Sequence, residues 1–155
     1  MRRKDKIIQD EKLLEKILTE AEVCRIAMID EYKPYIVPLN YGYSDNTIYI
    51  HSASLGRKIE VLKKNNNVCF EVEAKSDIVK GPKSCDWTTK YRSIIGYGKI
   101  EIVDDFEEKK KGLDILMSHF GKTTDNIYND KYVDFIVILK LEIEEMSGKQ
   151  SGDWD

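Results

Sequence analysis

The sequence predicts an α+β domain in which a six-stranded antiparallel β-barrel is flanked by helices. Six segments have the alternating or β-rich pattern of strands, and only three helical segments are inserted among them. A doubly wound parallel sheet needs many more crossover helices, so this succession favours an antiparallel barrel. The 155 residues are the size of one domain, and we expect residues 1–155 to fold as a single unit.

The elements are predicted from the period of the apolar residues. Helical spacing indicates helices over Asp10–Ala21, Gly56–Asn65 and Phe106–Phe120, the first of them capped by Asp10. The predicted strands are Val23–Ile29, Tyr35–Tyr43, Thr47–Ser52, Val68–Glu73, Tyr91–Val103 and Val133–Ile143. Two segments show no period: Ala74–Lys90, predicted as a long irregular connection, and the acidic tail Met146–Asp155, predicted to be loosely held.

Composition excludes several classes of protein. The net charge of −3 and the pI near 5.5 disfavour a general nucleic-acid binder, and we interpret the basic run Arg2, Arg3, Lys4, Lys6 as a solvated arm. The sequence contains no apolar stretch of about 18 residues, which is the length that predicts a membrane span. The three cysteines have neither metal nor redox spacing, which favours the cytoplasm.

The most informative segment is Tyr49–Lys58, where a predicted strand runs through a hydroxyl-rich turn into a helix. Such a junction offers unpaired backbone N–H groups to an anion, and Ser52 and Ser54 add donors. Arg57 and Lys58 oppose the helix dipole in the first turn, so an anionic ligand such as a phosphate monoester would explain their position. The alternative is that both side chains simply point into water.

Three further features are candidates for a ligand site. Trp87–Ser93 combines aromatic rings with Arg92 and hydroxyl groups, which suits a flat heterocycle, although such aromatics also pack in cores. Val37, Pro38, Leu39 and Asn40 form an extended segment whose proline leaves backbone groups unpaired, as in a plain edge strand. His51 is either a catalytic or a hydrogen-bonded structural residue. No set of residues predicts a metal site.

Several of these motifs together resemble a known family. The matching segments are Met1–Asp5, Tyr35–Gly42, Tyr49–Ala53 with Gly56–Lys58, Val68–Val72 and Tyr91–Gly98. They are similar to the nitroimidazole-resistance branch of the pyridoxamine 5′-phosphate oxidase-like flavoproteins. The oxidases proper end in a basic segment that recognises the vitamin phosphate, whereas this chain continues Gly148–Asp155, so the resemblance does not extend to vitamin-phosphate oxidation.

The resemblance implies a six-stranded, Greek-key split barrel that binds FMN between the two subunits of a homodimer. Arg57, Lys58 and Ser52 would then hold the phosphate, supported by Arg92 and Ser93. The isoalloxazine edge would be lined by Val37, Pro38, Leu39 and Asn40, with His51 close to the ring and Trp87 nearby.

We therefore expect an FMN-dependent oxidoreductase that reduces a small acceptor, with nitroaromatic reduction as the chemistry that the resemblance suggests and NADH or NADPH as a candidate donor. His51 is the expected catalytic residue. The first alternative is a protein of the same fold that binds flavin or haem without turnover. The second is an oligomerising structural domain with an empty cleft, which does not explain why Arg57 and Lys58 lie at the start of the helix.

Overall fold

Eight antiparallel strands joined in one sheet form the frame of the chain in a computed structural model, which describes residues 4–154. Arg2 and Arg3 of the predicted arm lie outside the described residues. The helices are α1 (Glu11–Glu20), α2 (Arg57–Lys64), α3 (Phe106–His119) and α4 (Asp130–Phe135). The strands are β1 (Ile7–Ile8), β2 (Val23–Asp30), β3 (Lys33–Asn40), β4 (Gly42–Ser44), β5 (Thr47–Ala53), β6 (Asn67–Val79), β7 (Thr88–Val103) and β8 (Ile136–Ser151).

The strands follow the order β3-β2-β6-β7-β8-β5-β4, with β1 paired to β8 beside this path. The path stays open, but β3 and β5 approach each other, so the sheet curls into a split barrel. The predicted α+β split-barrel class is confirmed, with eight strands instead of six. The two additional strands, β1 and β4, have two and three residues and are too short to show a period.

The core is built from the inward residues of the strands and the apolar face of α1. Asp10 caps α1 as predicted, because its carboxylate accepts a hydrogen bond from the Lys12 backbone N–H. Leu14, Ile17 and Leu18 of this helix are buried in the main core. A second apolar cluster lies under α3 and α4 and consists of Val103, Leu113, Leu116, Val133, Ile136 and Ile138. No helix within residues 4–154 is long and apolar enough to span a membrane.

Two predictions about irregular segments are wrong. Most of Ala74–Lys90 is a β-hairpin, since β6 continues to Val79 and pairs with β7 from Thr88 onward. Residues Lys75–Val79 are exposed on both faces, so the sequence has no reason to alternate there. The tail Met146–Asp155 is not loosely held over Met146–Ser151, which pairs with β7. Its side chains are mostly half-buried, and this weakens the apolar signal of a strand.

Candidate functional site

The junction between β5 and α2 leaves a helix N-terminus open. Gly56 precedes α2 with φ 114° and ψ 173°, a conformation that side chains strain. No side chain caps this helix start, and a Cβ on Gly56 would meet no atom within 4 Å. The first backbone N–H groups of α2 therefore have no side-chain cap, and the helix dipole favours an anion at this end of the helix.

The two predicted cations at this helix start differ in their partners. The Arg57 side chain donates from Nε to Asp30 Oδ2 over 2.9 Å, and its guanidinium carbon lies 4.2 Å from the centre of the Tyr35 ring. Within residues 4–154, no carboxylate forms an ion pair with Lys58. Burial lowers the pKa of Lys58. Arg57 thus fastens the junction to the β2–β3 hairpin, whereas Lys58 has no carboxylate partner among the residues that the structure describes.

His51 projects outward from β5, next to Lys58. Burial lowers the pKa of its imidazole, and the charge of Lys58 lowers it further, so the neutral ring is favoured near pH 7. The ring makes no hydrogen bond with any other residue that the structure describes. Ser52, the next residue, is buried on the opposite face of the strand and donates from Oγ to the Ala53 carbonyl over 3.0 Å.

Strand β3 forms one edge of the sheet; Tyr35 in its first half lies beside this junction, whereas Asn40 at its end pairs with Val23 and lies toward the end of the sheet that holds Ser93. Val37 and Leu39 point inward and pack against the main core, whereas Pro38 and Asn40 are exposed. Asn40 donates from Nδ2 to the Glu22 carbonyl over 3.2 Å. Because β3 has a strand partner on one side only, part of its backbone remains free to pair with a ligand.

The remaining predicted site residues, Trp87, Arg92 and Ser93, contact parts of the chain other than the start of α2. Arg92 donates from Nε to Gln150 Oε1 over 3.2 Å, and its neighbour Ser93 pairs with Glu73 in β6. Trp87 is half exposed and donates from Nε1 to the Gly81 carbonyl over 3.0 Å, so it folds onto its own hairpin.

One chain does not bring all of these residues together. Ala27 of β2 pairs with Cys69 of β6, and Asp30, which holds Arg57, lies three residues beyond Ala27. Lys75, which pairs with Arg92, lies six residues beyond Cys69 in the opposite direction. At about 3.3 Å per strand residue, the two groups are roughly 25–30 Å apart along the strands. His51, Ser52, Arg57 and Lys58 gather at one end, and Arg92 and Ser93 lie at the other.

Sequence reasoning missed the residues that hold the cations in place. Asp30 is 27 positions from Arg57. Trp154, whose ring centre lies 4.1 Å from the guanidinium carbon of Arg92, lies beyond the last predicted strand. Neither position shows a local pattern that predicts its partner. A turn acid and a terminal tryptophan become informative only when the strand register brings them next to a guanidinium.

The fold defines a split-barrel domain in which the start of α2 has no side-chain cap. The chain belongs to the pyridoxamine 5′-phosphate oxidase family, whose model matches residues 10–150. None of the curated proteins compared with the chain matches it.

Solved structures agree with this family. A protein of Bacteroides thetaiotaomicron, described as a candidate 5-nitroimidazole antibiotic resistance protein, is 36% identical with a TM-score of 0.82, over 92% of this chain and 85% of that chain. An FAD-binding protein of Mesorhizobium loti is 28% identical with a TM-score of 0.66, over 92% and 96% of the two chains. An FAD- and haem-binding protein of Mycobacterium smegmatis shares the fold, at 22% identity and a TM-score of 0.84, over 96% and 75%.

Proposed function

We propose that this chain is an FMN-dependent oxidoreductase that passes electrons from reduced flavin to a small acceptor such as a nitroaromatic compound. The observation that carries the proposal is the open start of α2, where uncapped N–H groups lie beside Lys58, which forms no ion pair with a carboxylate of residues 4–154. A terminal phosphate monoester fits this arrangement, since the N–H groups and the ammonium both donate to anionic oxygens.

The same junction supplies the other requirements of an FMN site. The phosphate would lie at the α2 start against Lys58, with Arg57 behind it and the edge of β3 along the ring. Bound FMN supplies the redox chemistry, and the protein supplies binding, orientation and electrostatics. The neutral imidazole of His51 donates one N–H to an acceptor, and it gains a proton more easily once a bound anion offsets the charge of Lys58.

A homodimer with FMN between the subunits is part of this proposal. Arg92 and Ser93 lie at the opposite end of the barrel from Lys58, so one FMN molecule does not reach both groups in one chain. A second copy would bring its Arg92 end to the α2 start of the first. Exposed apolar residues on the outer sheet face, Ile36, Ile95 and Tyr97, would gain cover in such a dimer.

The relatives support the chemical class of the proposal. The 36% identical structure is described as a candidate 5-nitroimidazole resistance protein, which favours a nitro group as the acceptor. The 28% identical structure is described as FAD-binding, which favours a flavin over other phosphate esters. The cytoplasm stays the predicted location, from the cysteine pattern of the sequence.

The test begins with the purified protein and its colour. We expect a yellow protein that binds one FMN per chain, is bleached by NADH or NADPH and is reoxidised by a nitroimidazole. Light scattering should give a dimer; a monomer of 18.0 kDa with flavin still bound would refute the shared site. A colourless protein with no affinity for FMN would leave the structural domain as the remaining interpretation.

A binding protein without turnover is the second candidate, and His51 is the observation that favours it. A neutral, unpartnered imidazole is the form that ligates haem iron. Addition of haemin would then give a Soret band that His51→Ala removes. A bound flavin that neither NADH nor NADPH reduces, and that a nitroaromatic acceptor does not reoxidise after chemical reduction, would likewise favour storage over catalysis.

A further inference from the structure

The β2–β3 hairpin is fastened to the start of α2 by one arginine. Arg57, the first residue of α2, donates from Nε to Asp30 Oδ2 over 2.9 Å, and its guanidinium carbon lies 4.2 Å from the centre of the Tyr35 ring. Asp30 is the last residue of β2, and Tyr35 lies in β3. The planar guanidinium is thus held at one edge by a carboxylate and on one face by an aromatic ring. We call Asp30, Tyr35 and Arg57 the hairpin clasp.

The register of the hairpin places both partners of Arg57 on the same face. Tyr35 pairs with Met28, so their side chains share a face of the sheet, and Asp30 lies on that face two residues beyond Met28. Met28 is buried in the main core, and Tyr35 packs against that core. The carboxylate and the ring are therefore presented together by a hairpin that the core anchors, and one guanidinium reaches both.

The hairpin clasp contains the only described ion pair of α2. Of the ion pairs formed within residues 4–154, only that of Arg57 with Asp30 includes a residue of this helix. The Asp30 side chain is mostly sheltered, with 26% of it exposed, which limits the screening of the pair by salt and water. The start of α2 and the edge strand β3 belong to different elements, and the clasp joins them through these charges.

We propose that Asp30 and Tyr35 are positioning residues for the FMN site, because through Arg57 they fix the spacing between the start of α2 and the edge of β3. The inference rests on the proposed function, in which the phosphate lies at the first of these surfaces and the ring along the second. A ligand that contacts two surfaces binds more tightly when their spacing is fixed in advance, since less freedom is lost on binding. The hairpin clasp therefore acts on FMN as a whole and not on the flavin ring alone.

Flavin titrations test the role of Asp30. Asp30→Asn removes the charge at nearly constant volume and should weaken FMN binding about three- to tenfold, whereas binding of riboflavin, which lacks the phosphate, should weaken less than about twofold. Glu71→Gln is the matched control. It removes the carboxylate of another 2.9 Å ion pair of β2, formed with Arg25, and this pair does not include α2. Circular dichroism establishes that each variant is folded.

Three results of these titrations would overturn the role of Asp30. The first is an FMN affinity in Asp30→Asn equal to that of Glu71→Gln. The second is an equal loss of affinity for FMN and for riboflavin, which would indicate a general disturbance of the fold. The third is tighter FMN binding by Asp30→Asn, which would mean that Asp30 competes with the phosphate for Arg57 instead of positioning it.

Tyr35 provides a test with its own conservative variant. Tyr35→Phe keeps the ring face on which the guanidinium lies and should retain the FMN affinity of the wild type. Tyr35→Leu removes that face and should weaken FMN binding about as much as Asp30→Asn does. Equal FMN affinities of the two Tyr35 variants would exclude the ring from the positioning role.

A double-mutant cycle tests whether Asp30 acts through Arg57. In an Arg57→Ala background, Asp30→Asn should cause no further loss of FMN affinity, since the side chain that Asp30 orients is absent. Additive losses would show that Asp30 acts on the flavin by another route, and the proposal would be wrong.

The outcomes distinguish this inference from the proposed function. A wild-type protein that binds FMN, with an affinity that Asp30→Asn and Tyr35→Leu leave unchanged, would refute only the hairpin clasp as a positioning device. A wild-type protein that binds neither FMN nor riboflavin would refute the proposed function, and the positioning role with it.

Discussion

The two basic regions of this acidic chain differ in what covers their charges. At the start of α2, Arg57 is held by Asp30 and Tyr35 while Lys58 has no anionic partner among the described residues. At the start of β7, the indole of Trp154 covers Arg92 and Lys90. An open site binds its ligand without displacing protein groups, whereas a covered site first has to release its own side chain. The first is the place where we propose the FMN phosphate, whereas in the second region the indole is itself the partner of the cations.

Removal of His51 should give the largest effect and sets the open region apart as the place of chemistry. For His51→Ala, we expect the rate at which a nitroaromatic acceptor reoxidises prereduced flavin to fall on the order of a hundredfold, the usual scale for a positioned proton donor. FMN affinity should change little. His51 lies next to Lys58, the proposed phosphate ligand, but its ring forms no hydrogen bond with any other residue that the structure describes. Stopped-flow reoxidation on the flavin-loaded fraction measures the rate. An unaltered rate with weakened FMN binding would make His51 structural.

The next effect separates the two cations of the α2 start. Lys58→Ala should weaken FMN binding about tenfold to a hundredfold, the loss of one charge-assisted contact of roughly 1.5–3 kcal/mol. Arg57→Ala should reduce FMN affinity less, because the Arg57 side chain is already oriented toward Asp30 by its hydrogen bond. Lys63→Ala removes the same charge from the exposed last turn of α2 and is the matched control. Equal FMN titrations for Lys58→Ala and Lys63→Ala would exclude the phosphate site.

The sequence predicted the first region better than the second for a physical reason. A strand, a glycine turn and a helix start are adjacent in the chain, so the short segment Ser52–Lys58 is enough to predict an anion site. Trp154 meets Arg92 only because β8 pairs with β7 as far as Ser151. The same limit explains the hairpin of residues 75–92, where both faces are exposed and no alternation marks the strands. The pairing register of strands that are distant in the chain, unlike a turn, cannot be predicted from a short segment of residues.

Substitution of the positive-φ glycine in each region, Gly56 and Gly152, should distinguish the regions by how much of the fold depends on each glycine. Gly56→Ala introduces backbone strain without a clash and should lower the free energy of unfolding by about 1 kcal/mol, or roughly 2–4 °C in Tm. Gly152→Ala should release the tail and raise the exposure of Trp154 with a smaller change in Tm, since only the end of the chain depends on it. Calorimetry and acrylamide quenching of Trp154 in the Trp87→Phe background make the comparison. A larger drop in Tm for Gly152→Ala would contradict it.

The smallest expected effect is on the pH dependence of stability, and it measures how strongly Lys58 acts on His51. Burial, and then the charge of Lys58, lowers the pKa of His51 in the folded chain, while the unfolded chain keeps a histidine pKa of about 6.5. Below that pH the unfolded state binds the proton first, so this histidine makes the free energy of unfolding fall as the pH drops from about 6.5 toward the lower folded pKa. Lys58→Met removes the charge and should reduce this loss, and His51→Gln should abolish it. Urea unfolding at pH 7.5 and pH 5.5 on all three proteins isolates the effect, because the carboxylates titrate alike in each. If His51→Gln lost as much stability on acidification as the wild type, the pKa of His51 would not be lowered, and the neutral imidazole proposed as the hydrogen-bond donor to the acceptor would have no support.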